Sequence, residues 1–301
     1  MKKVIKYSIR CILIALVLLL LIWLFNGYRI KKHLENEVNG QSEEQLKWQL
    51  DNIVAWSSGT IRENNIVIVI APEYYEDFYN DERIAQYNVD SRANYVLTAF
   101  KRGFNDPFDV AKDISVLIKE LKEKYTSIII VGHSKGSTIN IAMLEYLSDN
   151  DYDKMVNISS TYRGTILAMP EKIQEICSDK IFGETFYNFY ISTFDGDKAD
   201  QIIREDSQFL KQLNYNNINK NKFINIVAKS GISSFFKDFW NWDFEGMGLP
   251  FIDNMLNLNG DGIVSSETQE LSDVTTIQIK ASHKSSYEVG IKKVLDLESN
   301  S

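Results

Sequence analysis

One short stretch constrains the fold more than any other part of the chain. Ser127-Ile128-Ile129-Ile130-Val131 is a β-branched run that reads as a buried strand. It passes directly into Gly132-His133-Ser134-Lys135-Gly136-Ser137, and the stretch from Thr138 to Leu147 then has a helix-compatible pattern. Strand, sharp turn and helix follow with a serine at the apex. The glycines on either side are needed because a side chain there would strike the neighbouring strand or helix. Such a turn holds a hydroxyl out above the C-terminal edge of a sheet, which makes Ser134 a candidate nucleophile. A Gly-Ser turn with a purely structural role is the competing reading.

The surrounding pattern supports a sheet of that kind. Ile66–Ala71, Tyr95–Phe100, Met155–Ile158, Phe223–Val227 and Thr275–Ile279 read as further strands, and Asp106–Tyr125 as a long amphipathic helix with Val110, Ile114, Leu117, Ile118 and Leu121 inward. Strands separated by helices predict an α/β fold with a mostly parallel sheet and helices on both faces, here over 66–301. Residues 170–213 break the alternation. They are helical by pattern, rich in aromatics, and predict a cap or lid. A second aromatic stretch runs from Phe235 to Trp242. Ordinary core packing competes with an apolar pocket lined by Tyr162, Phe186 and Trp240.

Two segments precede this body. Cys11–Phe25 is fifteen apolar residues without a break, close to the length of a spanning helix, with Arg10 at one end and Trp23 and Tyr28 at the other. Residues 1–33 therefore predict a basic-flanked membrane anchor. A cleaved signal peptide is the alternative, and the absence of a small-x-small site after Phe25 argues against it. The positive-inside rule leans towards an extracytoplasmic body. Residues 34–65 read as a stalk. Ser42-Glu43-Glu44-Gln45 has capping-box form, and Leu46, Leu50, Ile53 and Val54 fall on one helical face.

Charge narrows the partners. The chain has 33 basic and 41 acidic residues, and seven of the basic ones lie in residues 1–33, which hold no acid; the rest carries 26 basic against 41 acidic residues, a net of −15. An acidic body argues against nucleic acid. The two cysteines, Cys11 and Cys177, do not settle the compartment, and no clustered Cys/His pattern suggests zinc.

A serine hydroxyl needs a base, and the base needs a carboxylate to orient it. Of the three histidines, His33 lies in the basic juxtamembrane cluster. His133 is inside the turn and reads as packing. His283, in a loop just past the strand Thr275–Ile279, remains as the base. The best acid is Asp261 in Asn259-Gly260-Asp261-Gly262, 22 residues earlier, with Asp253 and Asp243 as weaker alternates. Plain turn chemistry also explains that tetrapeptide. A calcium loop does not fit, because Thr268 stands where a bidentate glutamate is required. Chain order Ser, acid, His matches triads on folds with this turn. Oxyanion donors would be the backbone N–H of Lys135 and that of Glu73 or Tyr74 after the first strand, since Pro72 has none.

Four segments together resemble the lipase and esterase branch of the α/β-hydrolases, including bacterial triacylglycerol-lipase-like and GPI-inositol-deacylase-like proteins. They are Val131–Gly136, Ile158–Thr165, Asp206–Asn214 and Asn259–Val264, followed by His283, in order across Ile66 to Val289. The resemblance implies hydrolysis of carboxylic esters, often of lipids, without a cofactor. The chain departs from the pattern at Lys135, at Ser137, at Tyr162 in place of Pro-His, and in lacking a His-Gly motif after the first strand. A non-catalytic lipid-binding domain, an acyltransferase and a peptidase are the alternatives on the same fold.

Overall fold

The computed structural model describes residues 20–29, 32, 47–57, 66–178, 184, 187, 198–240, 252 and 258–299. Among these residues, eight strands form one sheet: β1 (Lys47–Gln49), β2 (Ile53–Ser57), β3 (Ile66–Ile70), β4 (Asn94–Phe100), β5 (Ser127–His133), β6 (Lys154–Ile158), β7 (Phe223–Lys229) and β8 (Thr275–Lys280). The order is β1-β2-β4-β3-β5-β6-β7-β8. From β4 to β8 every pairing is parallel, and only the β1–β2 and β2–β4 pairings are antiparallel.

The central strands are continuous apolar runs because both faces are covered. Val67 and Val69 point into one core layer, and Ile68 and Ile70 into the other. Among the helices are α1 (Asp81–Gln86), α2 (Pro107–Lys122), α3 (Lys135–Met143), α4 (Pro170–Ser178), α5 (Lys198–Gln201), α6 (Gln208–Gln212), α7 (Ile232–Trp240), α8 (Ser266–Gln269) and α9 (His283–Glu298). Asp106 caps α2 through Phe108 N–H, Pro107 occupies the first turn, and Val110, Ile114, Leu117, Ile118 and Leu121 are buried, the face expected from their spacing. The other layer is closed by α9 with Ile291, Val294 and Leu295. Gly290 lets that helix approach closely, since a Cβ there would sit 2.7 Å from Ile158 Cδ1.

The stalk expectation for 34–65 is corrected over its described part. Lys47–Gln49 and Ile53–Ser57 are strands, not a helix, and they extend the sheet beyond β4. All five residues of β2 are buried. Apolar residues at helical spacing therefore matched a strand covered on both faces, where no period-two alternation shows. The sheet accordingly starts at Lys47 instead of Ile66.

Most of the expected membrane span lies outside the described residues. Residues 20–29 are helical, and among the described residues no helix is long and apolar enough to cross a membrane. This segment meets α7: Trp23 Nε1 donates to the Phe239 carbonyl at 2.7 Å, Asn26 Nδ2 to the Trp240 carbonyl at 2.6 Å, and Trp23 stacks on Phe239. Between β6 and β7, α4, α5 and α6 occupy the described parts of the region expected to be a cap.

Candidate active site

Ser134 sits between β5 and α3 with φ 50° and ψ −120°. A non-glycine residue in that region carries strain of order 1–3 kcal/mol, which the surroundings must hold. They do so tightly. The Ser134 N–H donates to the Ile158 carbonyl at 3.0 Å, latching the turn to β6. The Ser137 hydroxyl donates to the Gly132 carbonyl, and Asn157 Nδ2 to the Ser137 carbonyl. A Cβ on Gly132 would lie 2.6 Å from Ser137 Cα, and one on Gly136 2.9 Å from the Ala71 carbonyl oxygen. The two flanking glycines are thus demanded by backbone packed against them.

Lys135 opens α3, in the first turn where N–H groups have no intrahelical acceptor. Its side chain is buried and runs to Asp200 in α5, Nζ to Oδ1 2.6 Å, passing 5.5 Å from the Tyr74 ring centroid.

Asp261 and His283 meet directly. Asp261 Oδ2 lies 2.8 Å from His283 Nδ1. The other carboxylate oxygen accepts from Ile263 N–H at 3.0 Å and Val264 N–H at 2.8 Å, and the Asp261 carbonyl accepts from His283 N–H at 2.8 Å. One residue therefore does both jobs that its tetrapeptide suggested: Oδ1 makes the turn and Oδ2 faces the imidazole. Burial pushes the Asp261 carboxyl up, but the imidazole of His283 and the two N–H groups outweigh it and hold it below the usual carboxylate range. Gln269, fully buried in α8, braces the loop. Its Oε1 accepts from Ala228 N–H, and its Nε2 donates to the carbonyls of Ala228 and Val264.

His283 is not in a loop, as its sequence context suggested. It is the first residue of α9, behind the Ser282 cap, whose hydroxyl pairs reciprocally with Ser285. His133 is more than packing. Its ring lies 4.7 Å from that of His283, with Nδ1 3.0 Å from Glu73 Oε2 and Nε2 2.9 Å from the His283 carbonyl oxygen. The base candidate is therefore held against the residue that immediately precedes Ser134.

No family profile and no curated protein sequence matches the chain. Among solved structures it is similar to a lipase of Bacillus licheniformis in its mature form, at TM-score 0.52 and 15% identity, over 81% of this chain and 96% of that one. The chain has the α/β-hydrolase fold. The propeptide form of the same lipase aligns at TM-score 0.49 and 14% identity over 77% of this chain and 50% of that one. A metagenomic carboxyl esterase aligns at 0.47 and 16% identity over 74% and 66%.

On this hydrolase fold, Ser134 follows β5, Asp261 follows β7 and His283 follows β8, all at the C-terminal edge of the sheet. Glu73 and Tyr74 follow β3 at the same edge, with the Glu73 side chain buried and that of Tyr74 exposed. Tyr162, expected to line a pocket, lies on the segment just after β6. It is buried in the core, its hydroxyl donating to Asn225 Oδ1 at 3.1 Å and its carbonyl accepting from Tyr215 Oη. Trp240 ends α7 and is exposed, while Phe186, Asp243 and Asp253 lie outside the described residues. Two residues escaped the sequence reading. Glu73 was noted only for its backbone, and Gln269 carried no sequence signal. Among the described residues no group of three or more His, Cys, Asp or Glu side chains is arranged to hold a metal ion.

Proposed function

We propose that the chain is a membrane-tethered serine hydrolase of carboxylic esters, with lipid or other acyl esters as substrates. Ser134 is the nucleophile, His283 the base, and Asp261 the carboxylate that orients it. The observation supporting this reading is the 2.8 Å bond from Asp261 Oδ2 to His283 Nδ1, in a residue also bonded to the neighbour of a strained apex serine. With Nδ1–H engaged by Asp261, His283 Nε2 is the nitrogen left to take the serine proton.

The Ser134 oxygen then attacks the ester carbonyl carbon, and negative charge moves to the carbonyl oxygen. The N–H groups of Lys135 and of Glu73 or Tyr74 stabilise that oxyanion. Collapse breaks the carbon–oxygen bond to the alcohol, which leaves with the proton from His283. Water, deprotonated by the same imidazole, attacks the acyl-enzyme and releases the acid and Ser134. Residues 170–213, between β6 and β7, act as the lid over this edge.

The anchor reading draws on the unbroken apolar run Cys11–Phe25. Residues 20–29, at its end, pack against α7, on which Ile232, Phe236 and Trp240 are exposed at four-residue spacing. Leu20, Leu21, Ile22, Leu24 and Phe25 of the N-terminal segment are exposed as well. The helix α7 starts just after β7, and Ser230 N–H donates to the Gly260 carbonyl beside Asp261. A bilayer holding the N-terminal segment would thus face the catalytic edge, with the body on the extracytoplasmic side.

A fluorophosphonate probe should label the wild type and not Ser134→Ala; equal labelling of both overturns the reading. The full chain should stay with membranes after alkaline carbonate washing. A mature N-terminus near Tyr28, read by mass spectrometry, would overturn the anchor alone.

A further inference from the structure

His133 and Glu73 form a buried pair beneath the candidate base, and both side chains are almost fully enclosed. His133 Nε2 lies 2.9 Å from the His283 carbonyl oxygen and 3.0 Å from Ser286 Oγ. Ser286 in turn donates to the His283 carbonyl at 2.6 Å and lies 2.7 Å from Ser159 Oγ. A carbonyl oxygen can only accept, so the bond to His283 requires the proton on Nε2. Nδ1 then faces Glu73 Oε2 at 3.0 Å. Either Nδ1–H donates to a carboxylate, or a protonated carboxyl donates to Nδ1. In both arrangements one extra proton is shared across that contact.

We propose that Glu73 and His133 are positioning residues: a proton-sharing pair that grips His283 by its main-chain carbonyl while Asp261 grips its imidazole. The proposal rests on the reading of His283 as the base. Its physical logic is that His283 is the first residue of α9, and a helix end is the part of a helix most prone to fray. Hydrogen bonds at both the ring and the carbonyl fix where the base points. The same pair ties the loop carrying the Glu73 N–H to the turn carrying Ser134, so base and oxyanion donors share one buried support. The groups facing His133 are Glu73 from the loop after β3, His283 and Tyr287 from α9, and Asp261 from the loop after β7. Burial pulls the His133 imidazole down, but the Glu73 carboxylate, the His283 carbonyl and Asp261 outweigh it, leaving it above its ordinary value.

The test uses the full chain and a short-chain p-nitrophenyl ester. His133→Phe removes the donor to His283, and Glu73→Leu removes the partner of Nδ1. Each should lower kcat by about 10- to 100-fold with KM within about twofold, as expected when a base is misaligned and binding is not. Glu73→Gln restores the geometry, because its amide N–H can donate to Nδ1 and leave Nε2–H for the carbonyl. It should recover about tenfold of the Glu73→Leu loss. Nitrogen-15 spectra of the imidazoles give a readout independent of turnover. In the wild type His133 Nε2 should be protonated at neutral pH and Nδ1 should share a proton with Glu73, whereas in Glu73→Gln Nε2 alone should carry a proton and Nδ1 should only accept.

Unchanged kcat in His133→Phe, a Glu73→Gln variant no better than Glu73→Leu, or a His133 that titrates like a free imidazole would each overturn the proposal. If His133→Phe does not fold, the Glu73 variants and the spectra still decide. If the wild type is neither labelled by fluorophosphonate nor active on esters, the hydrolase reading fails, while the imidazole spectra still report on the pair.

Discussion

Lys135 Nζ lies 2.6 Å from Asp200 Oδ1, so the residue after the apex serine is bound by its side chain to the insertion between β6 and β7. Both groups are shielded, Lys135 more than Asp200. Breaking the pair should therefore matter more than breaking an exposed one. Asp200→Asn should loosen the insertion by about 1 kcal/mol, or about fivefold in its opening equilibrium. Proteolytic nicking between β6 and β7 should quicken by that factor, with the Lys135 N–H still in place. An unchanged nicking rate would show that the pair does not hold the insertion shut.

Gln269 braces the acid loop at three points, beside Thr165, which donates to the Ile263 carbonyl, and Ser266, which donates to the Asn259 carbonyl. Gln269→Leu would strip a partner from the Ala228 N–H and from the carbonyls of Ala228 and Val264, of which the Val264 carbonyl keeps the Asp261 N–H at 3.2 Å. The expected cost is about 2–4 kcal/mol, since buried backbone groups left unpaired cost about 1–3 kcal/mol each. Urea denaturation measures it, and ester turnover should fall further than stability alone explains.

Gly136→Ala should be disabling for a different reason. The new methyl carbon would stand 2.9 Å from the Ala71 carbonyl, which is backbone and cannot rotate away. A loss of about 1–3 kcal/mol is expected from such overpacking. Fluorophosphonate labelling should drop with it, because moving α3 moves the Lys135 N–H.

Two buried groups set opposite limits on stability. Asp261 is held below its ordinary 3.8, so its contribution is present above that value and is lost as pH falls through the lowered one. His133 is raised above its ordinary 6.5, so its contribution is complete below 6.5 and is lost as pH rises through the raised value. Unfolding free energy, followed by urea titration across pH, should decline on both sides. His133→Phe should flatten the alkaline side and leave the acid side, where Asp261 still pairs with His283.

The sheet from β3 to β8 was readable because buried parallel strands announce themselves as β-branched runs between helices. The strands β1 and β2 were not. Leu46, Leu50, Ile53 and Val54 mimic one face of a helix, and a strand buried on both faces shows no alternation to contradict it. At the site, Ser134, Asp261 and His283 each had a local signature: a turn between glycines, a carboxylate in a tight loop, and a histidine after a late strand. The roles of Glu73 and Gln269 were hidden because each depends on a partner 60 or 41 residues away along the chain.

Gly290 has a consequence for how such a site would fail. Because nothing but hydrogen separates α9 from Ile158, the helix that begins with His283 is moulded onto β6, the strand to which Ser134 is latched. The backbone of α9 cannot shift outward as a unit without unseating the helix from the sheet. Loss of the base should accordingly coincide with cooperative melting of the whole layer, and heat inactivation would be abrupt instead of gradual.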